Sequence, residues 1–348
     1  MSDNILVIGN GFDLMHGRKT KYAHFLGFLK QLSADRTSLS DEIVQGAERC
    51  FPTYMRSDLI RYFISLYDKN IKKGNWIDLE YDMKALIKAL IEFVDEESGN
   101  NTRHGRVEYR YRFSSIPYRT SRLLRTLKCF NLSQVGDEFI LKSEFVDTWG
   151  FINIDKIISE LVKELEGVIK LLEYYLMIVE PSDRDFDLKK IRFIEEIDPS
   201  YVISFNYTDT FEKLYGTCDE GVSYIHGKLG KGNMVLGYND DDSNDDIAFK
   251  KYYQRLINNT DNINSLMKEE NGVYTSRPIV FIGHSLDISD EDILRELLYG
   301  DNSVSIYYKD DTDKNKKIAN VIKLLGKEKA LSKIKENIIS FEIIPDNH

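Results

Sequence analysis

Three cysteines, Cys50, Cys129 and Cys218, are too few and too far apart for a disulfide framework. With no Cys-x-x-Cys pair among them, they offer no structural zinc site either. Long apolar runs are also missing. No stretch approaches the roughly 20 apolar residues a membrane helix needs, and Ile5–Ile8 is too short for the core of a secretory signal. The expectation is a cytoplasmic protein with no membrane partner. An excess of positive charge is lacking: 57 acidic residues against 47 basic give a net charge of −10. Such a chain is not built for broad contact with duplex nucleic acid, although a local basic patch is compatible with it. No internal repeat and no long low-complexity tract occurs.

What is present is a chain of 348 residues, rich in Tyr and Phe, long enough for one large α/β domain or for such a domain with a helical insertion. Its opening is the most informative stretch. Ile5-Leu-Val-Ile8 is wholly apolar, as a strand buried on both faces should be. It runs into Gly9-Asn10-Gly11. Glycines there permit a sharp turn and the approach of a ligand to backbone N–H groups. A helix starting just beyond would favour an anion at the same spot. Gly-x-Gly without a third glycine also occurs in ordinary strand-to-helix turns, so both readings stay open on this stretch alone.

Apolar spacing predicts helices over about 21–32, with Thr20 as a candidate cap, over 59–67 and from Trp76 to about Asp95. A break is expected over 96–102. Residues 33–58 carry no clear signal. Between Arg103 and Arg125, seven arginines interleave with Tyr109, Tyr111 and Tyr118. That is either a grip for nucleic acid or an anionic ligand, or a solvated insertion or subunit contact. A long helix over 152–179 ends before Pro181. Residues 33–195 thus read as a mostly helical inserted subdomain, and residues 1–32 and 196–348 as a Rossmann-like α/β nucleotide-binding domain. In the latter, strands are expected at 201–205, 222–225, 234–236, 278–282, 304–308 and 338–344. Helices are expected at 252–266, 290–298 and 314–325. Short apolar strands alternating with helices predict a mainly parallel sheet.

Four strand ends carry polar residues: Gly9-Asn10-Gly11-Phe12-Asp13, Asn206-Tyr207-Thr208-Asp209, His226-Gly227 and Gly283-His284-Ser285-Leu286-Asp287. Each alone has a structural explanation as a cap, a turn or a surface carboxylate. Together they point to one ligand site, because the carboxyl ends of parallel strands share an edge.

The opening Ile8-Gly-Asn-Gly-Phe-Asp-Leu-x-His16-Gly, with Thr20-Lys21-Tyr22 and Phe25-Leu26 behind it, resembles the AbiH family of bacteriophage abortive-infection proteins. Trp76-Ile-Asp-Leu-Glu80, Ser204-Phe-Asn-Tyr-Thr208, Ile225-His-Gly227 and Ile282-Gly-His-Ser-Leu-Asp287 follow in that family's order. A more distant resemblance is to sirtuin-like NAD-binding domains, whose phosphate loop, Asn motif, His-Gly and Gly-x-Ser turn have the same order. The chain departs from these at Asn10, at Thr208 (which moves the acid one residue on) and at His284, and it lacks a four-cysteine zinc module.

The resemblances imply a phage-defence protein that hydrolyses NAD at the nicotinamide–ribose bond, with NAD as substrate and no further cofactor. Asn206, His226 and Asp209 are the implied catalytic residues. Gly9, Asn10, Gly11, Phe12, Asp13, Gly283, His284, Ser285 and Asp287 are the implied nucleotide contacts. Backbone N–H groups of residues 9–11 would hold phosphate, and His226, of a residue type that titrates near pH 6.5, would move the proton. Asp13, Asp209 and Asp287 are the candidates to orient it. Two other classes remain. One is a metal-dependent nuclease using His16, His226, His284 and nearby aspartates. The other is a non-catalytic nucleotide sensor. A phage-derived trigger and a homo-oligomer are further expectations.

Overall fold

The run Ile5–Ile8 forms β1, and its four side chains are buried. In the computed structural model the described residues are 3–34, 36–71, 79–100, 110–112, 130–132, 138–148, 152–179, 190–239, 246–260 and 277–345. The chain makes two compact units. One comprises Met1–Lys21, Tyr175–Asp240 and Lys251–His348; the other comprises Tyr22–Tyr174 and Asp241–Lys250.

After β1 come α1 (Asn10–Met15), α2 (Tyr22–Ala34), α3 (Asp41–Cys50), α4 (Asp58–Ile71) and α5 (Leu79–Asn100). Three short strands follow, β2 (Arg110–Arg112), β3 (Phe130–Leu132) and β4 (Glu138–Leu141), then α6 (Ile154–Val179) and α7 (Arg192–Ile197). The alternating part contains β5 (Tyr201–Ser204), α8 (Thr210–Tyr215), β6 (Val222–Tyr224), α9 (Lys251–Asn258), β7 (Ile279–Ile282) and α10 (Glu291–Tyr299). It closes with β8 (Val304–Tyr308), α11 (Asp311–Leu325), α12 (Lys327–Lys335) and β9 (Ile339–Ile343).

The first unit is built on a six-stranded sheet in the order β6-β5-β1-β7-β8-β9, every pair parallel. Ranked by chain position the order is third, second, first, fourth, fifth, sixth. This is the doubly wound Rossmann-like arrangement, whose strand order reverses between the first and fourth strands. Here that switch point lies between β1 and β7. Side chains alternate as a two-sided strand requires. Ile5 and Val7 join a core with Ile203, Phe281 and the α10 leucines on one face, while Leu6 and Ile8 join Phe12, Val202 and Phe211 on the other.

The register fixes what the strand ends present. Ile8 pairs with Ser204 and with Ile282, and Ser204 pairs with Tyr224. Gly9, Phe205, Ile225 and Gly283 are the first residues past these paired ends, and Asn10, Asn206, His226 and His284 are the second.

In the second unit α2 and α4 pack together, and Tyr22 donates from its hydroxyl to Glu80 at 2.9 Å. Glu164 on α6 accepts from the Ser57 hydroxyl and the Leu59 N–H, both at 2.9 Å, at the start of α4. The insertion is not only helical: β2, β4 and β3 make an antiparallel sheet. Strands of three or four residues carry too few alternations to register as periodicity. Of the segment 103–125 only Arg110–Arg112 is described, and the rest lies outside the described residues, as do Trp76–Asp78.

Other details depart from expectation. Helix α5 continues through Glu96–Asn100, because polar residues do not by themselves end a helix. Met234–Leu236 forms no strand. This buried segment is held by Val235 N–H on the His226 carbonyl and by Gln254, which pairs with both backbone groups of Leu236. Helices α3, α7, α8 and α12 carried no clear signal.

Candidate functional site

The turns after β1 and β7 meet at the switch point. Gly11 donates its N–H to the Gly283 carbonyl at 2.8 Å, Gly9 donates to Ile282 at 3.3 Å, and Phe12 donates to Gly9 at 2.8 Å. The approach is too close for side chains. A Cβ on Gly11 would lie 2.6 Å from the Gly283 oxygen, and one on Gly283 would lie 2.1 Å from the Phe12 nitrogen. Gly283 also holds a φ of 67°, in the left-handed region. The glycines are therefore required by each other. Of the N–H groups of residues 9–12, three are engaged with backbone carbonyls. That of Asn10, at the first position of α1, has no intrahelical partner. The Asn10 side chain is exposed and accepts from the Thr20 hydroxyl at 2.5 Å.

Phe12 is fully buried against His16, Phe211 and Tyr215, and serves as core. Asp13 is 1% exposed. Its two oxygens accept from the hydroxyls of Thr208 and Thr210, each at 2.6 Å. This ties α1 to the loop that follows β5. The carboxylate does not face His226.

The residue that does is Asp290. His226 Nε2 lies 2.8 Å from Asp290 Oδ1, and the Lys251 ammonium lies 3.0 Å from the same oxygen. Lys251 also reaches the Ser289 hydroxyl at 3.3 Å. All three principal residues are buried: His226 at 6% exposure, Asp290 at 6% and Lys251 at 1%. Burial alone would push the Asp290 carboxyl up. The Lys251 ammonium and His226 together hold it well below the usual carboxylate range, so it is ionised. The His226 ring is packed edge-on by Phe205 at 5.4 Å and flanked by Tyr207 at 6.2 Å, and its Nδ1 makes no hydrogen bond among the described residues.

Asn206, at the end of β5, is 4% exposed, and its amide nitrogen has no hydrogen-bond partner among the described residues. His284 lies edge-on against Phe205 at 4.3 Å, and its Nδ1 accepts the Leu286 N–H at 2.9 Å. Burial, opposed by the Asp290 charge, pushes its imidazole down to about 4, so the ring is neutral near pH 7.

Other expected site residues are placed differently. Asp209 pairs with Lys213 at 3.2 Å, one helical turn on along α8. Asp287 caps the 3-10 turn Ile288–Asp290 by accepting the Ser289 N–H at 3.1 Å. Neither orients His226. Ser285 is exposed, and its carbonyl accepts from Asn320 at 3.0 Å. His16 is committed at both nitrogens, to the Phe12 carbonyl and the Tyr215 hydroxyl, each at 2.8 Å, and burial lowers its proton affinity. Among the described residues no three His, Cys, Asp or Glu side chains gather as a metal set.

Sequence reasoning passed over Asp290 and Lys251. A signal for Asp290 existed: Asp287 already serves as the turn's cap, which leaves the second aspartate, three residues on, without that job. Lys251 carries a fainter one, being a lysine between Phe249 and Tyr252 that cannot be buried without a carboxylate.

A family model described as bacteriophage abortive infection AbiH matches residues 5–309, and the chain belongs to that family. No curated protein and no solved structure matches the chain. No helix among the described residues is long and apolar enough to cross a membrane.

Proposed function

We propose that this member of a phage abortive-infection family acts by hydrolysing NAD at the nicotinamide–ribose bond, in the site at the ends of β1, β5 and β6. One observation carries the reading. Asn206, two residues past the end of β5, is a buried amide donor with no partner among the described residues, and His226, two residues past the end of β6, has an Nδ1 that is equally unengaged. Leaving such a donor unsatisfied costs about 1–3 kcal/mol, and a fold bears that most readily where a ligand completes the bond.

The chemistry divides among these groups. Asn206 donates to a ribose hydroxyl or to the attacking water. His226 takes a proton from that water as its oxygen bonds to C1′ of the ribose. The C1′–N bond breaks, its electron pair leaves with nicotinamide, and the other product is ADP-ribose. The proton passes from His226 to solvent. The N–H of Asn10 supports a phosphate oxygen. Asp13 acts indirectly, by fixing the loop that carries Asn206. A phage-derived trigger and assembly into a homo-oligomer are part of the proposal, since such an activity must be held off in a healthy cell.

The test is nicotinamide release from NAD by the purified chain, alone and with lysate of infected cells, alongside cellular NAD measured during infection. Turnover is expected, and His226→Ala and Asn206→Ala should each lower it by about 10²-fold or more. No nicotinamide release under any of these conditions refutes the reading. A cut in nucleic acid that chelation abolishes would replace it with a nuclease, and tight nucleotide binding without turnover would replace it with a sensor.

A further inference from the structure

The ring of His226 is oriented the opposite way from the usual histidine–carboxylate pair of hydrolases: Nε2, not Nδ1, faces the acid. Lys251 can only donate, and it shares Oδ1 of Asp290 with His226. A carboxylate held ionised has no proton to give, so both neighbours donate to it. Asp290 is itself fixed. It ends the 3-10 turn capped by Asp287 and is the N-cap residue of α10. The rings of Phe205 and Tyr207 lie near the imidazole, with centroids 5.4 and 6.2 Å away.

We propose that Asp290 is the positioning residue of His226: its carboxylate holds the Nε2 proton and so presents the Nδ1 lone pair as the group that receives a proton. Assigning that proton to the attacking water rests on the glycosidic reading above; the tautomer does not. Lys251 supports the arrangement by balancing the buried carboxylate, so that His226 need not be charged for Asp290 to stay ionised. His284, Lys251 and Lys317 are the other titratable groups whose charges act around Asp290 and His284.

His16 supplies an internal contrast. Its Nδ1 faces a carbonyl, which accepts only, so it carries the proton on Nδ1 and takes the Tyr215 hydroxyl proton at Nε2.

The full chain labelled with 15N-histidine reads the six imidazoles by long-range proton–nitrogen correlation. His226→Gln and His16→Gln assign their own signals by removing them. The expected result is an Nε2–H tautomer at His226 and an Nδ1–H tautomer at His16. In the double variant Asp290→Ala/Lys251→Met, which removes both charges together, the His226 N–H should exchange with solvent about tenfold faster or more, from loss of one charge-assisted bond. NAD hydrolysis by this variant should lose about 10²-fold or more in kcat with KM little changed.

An Nδ1–H tautomer at His226 in the unmodified chain overturns the proposal, even if the double variant fails to fold. So does unchanged exchange in the double variant. If tautomer and exchange come out as expected but the unmodified chain releases no nicotinamide, the glycosidic reading falls and Asp290 keeps its positioning role.

Discussion

Replacing Gly283 by alanine tests whether the two switch-point turns really close on each other. Two costs fall on that residue. The first is conformational: at φ 67° an alanine sits in the left-handed region, which costs roughly 1–2 kcal/mol. The second is steric. The added Cβ would stand 2.1 Å from the Phe12 nitrogen, where ordinary contact begins at 3.4 Å. The atoms in the way are backbone of the first turn of α1, which cannot swing aside like a side-chain tip. Moving them disturbs the Gly11–Gly283 hydrogen bond at 2.8 Å. Overpacking of this kind costs about 1–3 kcal/mol, and the strained hydrogen bond about 1 more.

Gly17 is the control. Its φ of 80° also lies on the glycine-favouring side, but no atom lies within 4 Å of its added Cβ. Gly17→Ala should therefore cost roughly 1–2 kcal/mol and Gly283→Ala about 3–6, a large part of the roughly 5–15 kcal/mol that holds a typical domain together. Urea unfolding followed by circular dichroism measures both. Equal costs, within about 0.5 kcal/mol, would mean that the turns do not interlock in solution and that the glycines have another purpose.

Two further outcomes follow from buried charges. His284 binds its proton near pH 4 in the native state and near 6.5 when unfolded, so the unfolded chain binds more protons between those values. Stability should fall by about 3 kcal/mol as pH drops from 6.5 to 4, and His284→Asn, whose oxygen can accept the Leu286 N–H, should flatten that window; a parallel pH profile in the variant would refute the assignment. At the opposite edge of the sheet Arg277 binds Glu220 through two nitrogens, at 3.1 and 2.7 Å, and the Ser200 hydroxyl at 2.6 Å. Arg277→Met should cost about 1–3 kcal/mol in urea unfolding while leaving the NMR signals of His226 unchanged, and a loss below about 0.5 kcal/mol would show the clamp to be dispensable.

Much of the sheet was legible because β1, β5 and β7 are buried on both faces, and a strand with no wet face must be apolar throughout. The polar residues at their ends then stood out against those runs. Asn10, Asn206, His226 and His284 stood out for this reason, each two residues beyond the paired end of its strand. The small sheet of β2, β3 and β4 was not legible, since each strand is only three or four residues long. Its pairing is decided by neighbours that no local window contains.

Partner choice was the harder matter. Three aspartates near the motifs, Asp13, Asp209 and Asp287, looked able to orient His226, and each is used elsewhere: on two threonines, on a lysine one turn away and on a cap. The acid that contacts His226 is 64 residues from it in the chain, and Lys251 is 39 residues from that acid. Such distances carry no sequence signal, because side-chain pairing inside a core follows from where tertiary packing sets the elements down. The glycines show the same limit from the other side. Gly9-Asn10-Gly11 was legible as a turn that needs small residues, and the close neighbour that requires them is Gly283. The N–H groups of Gly9, Gly11 and Phe12 are engaged with backbone carbonyls, whereas Asn206 Nδ2 and His226 Nδ1 have no hydrogen-bond partner among the described residues.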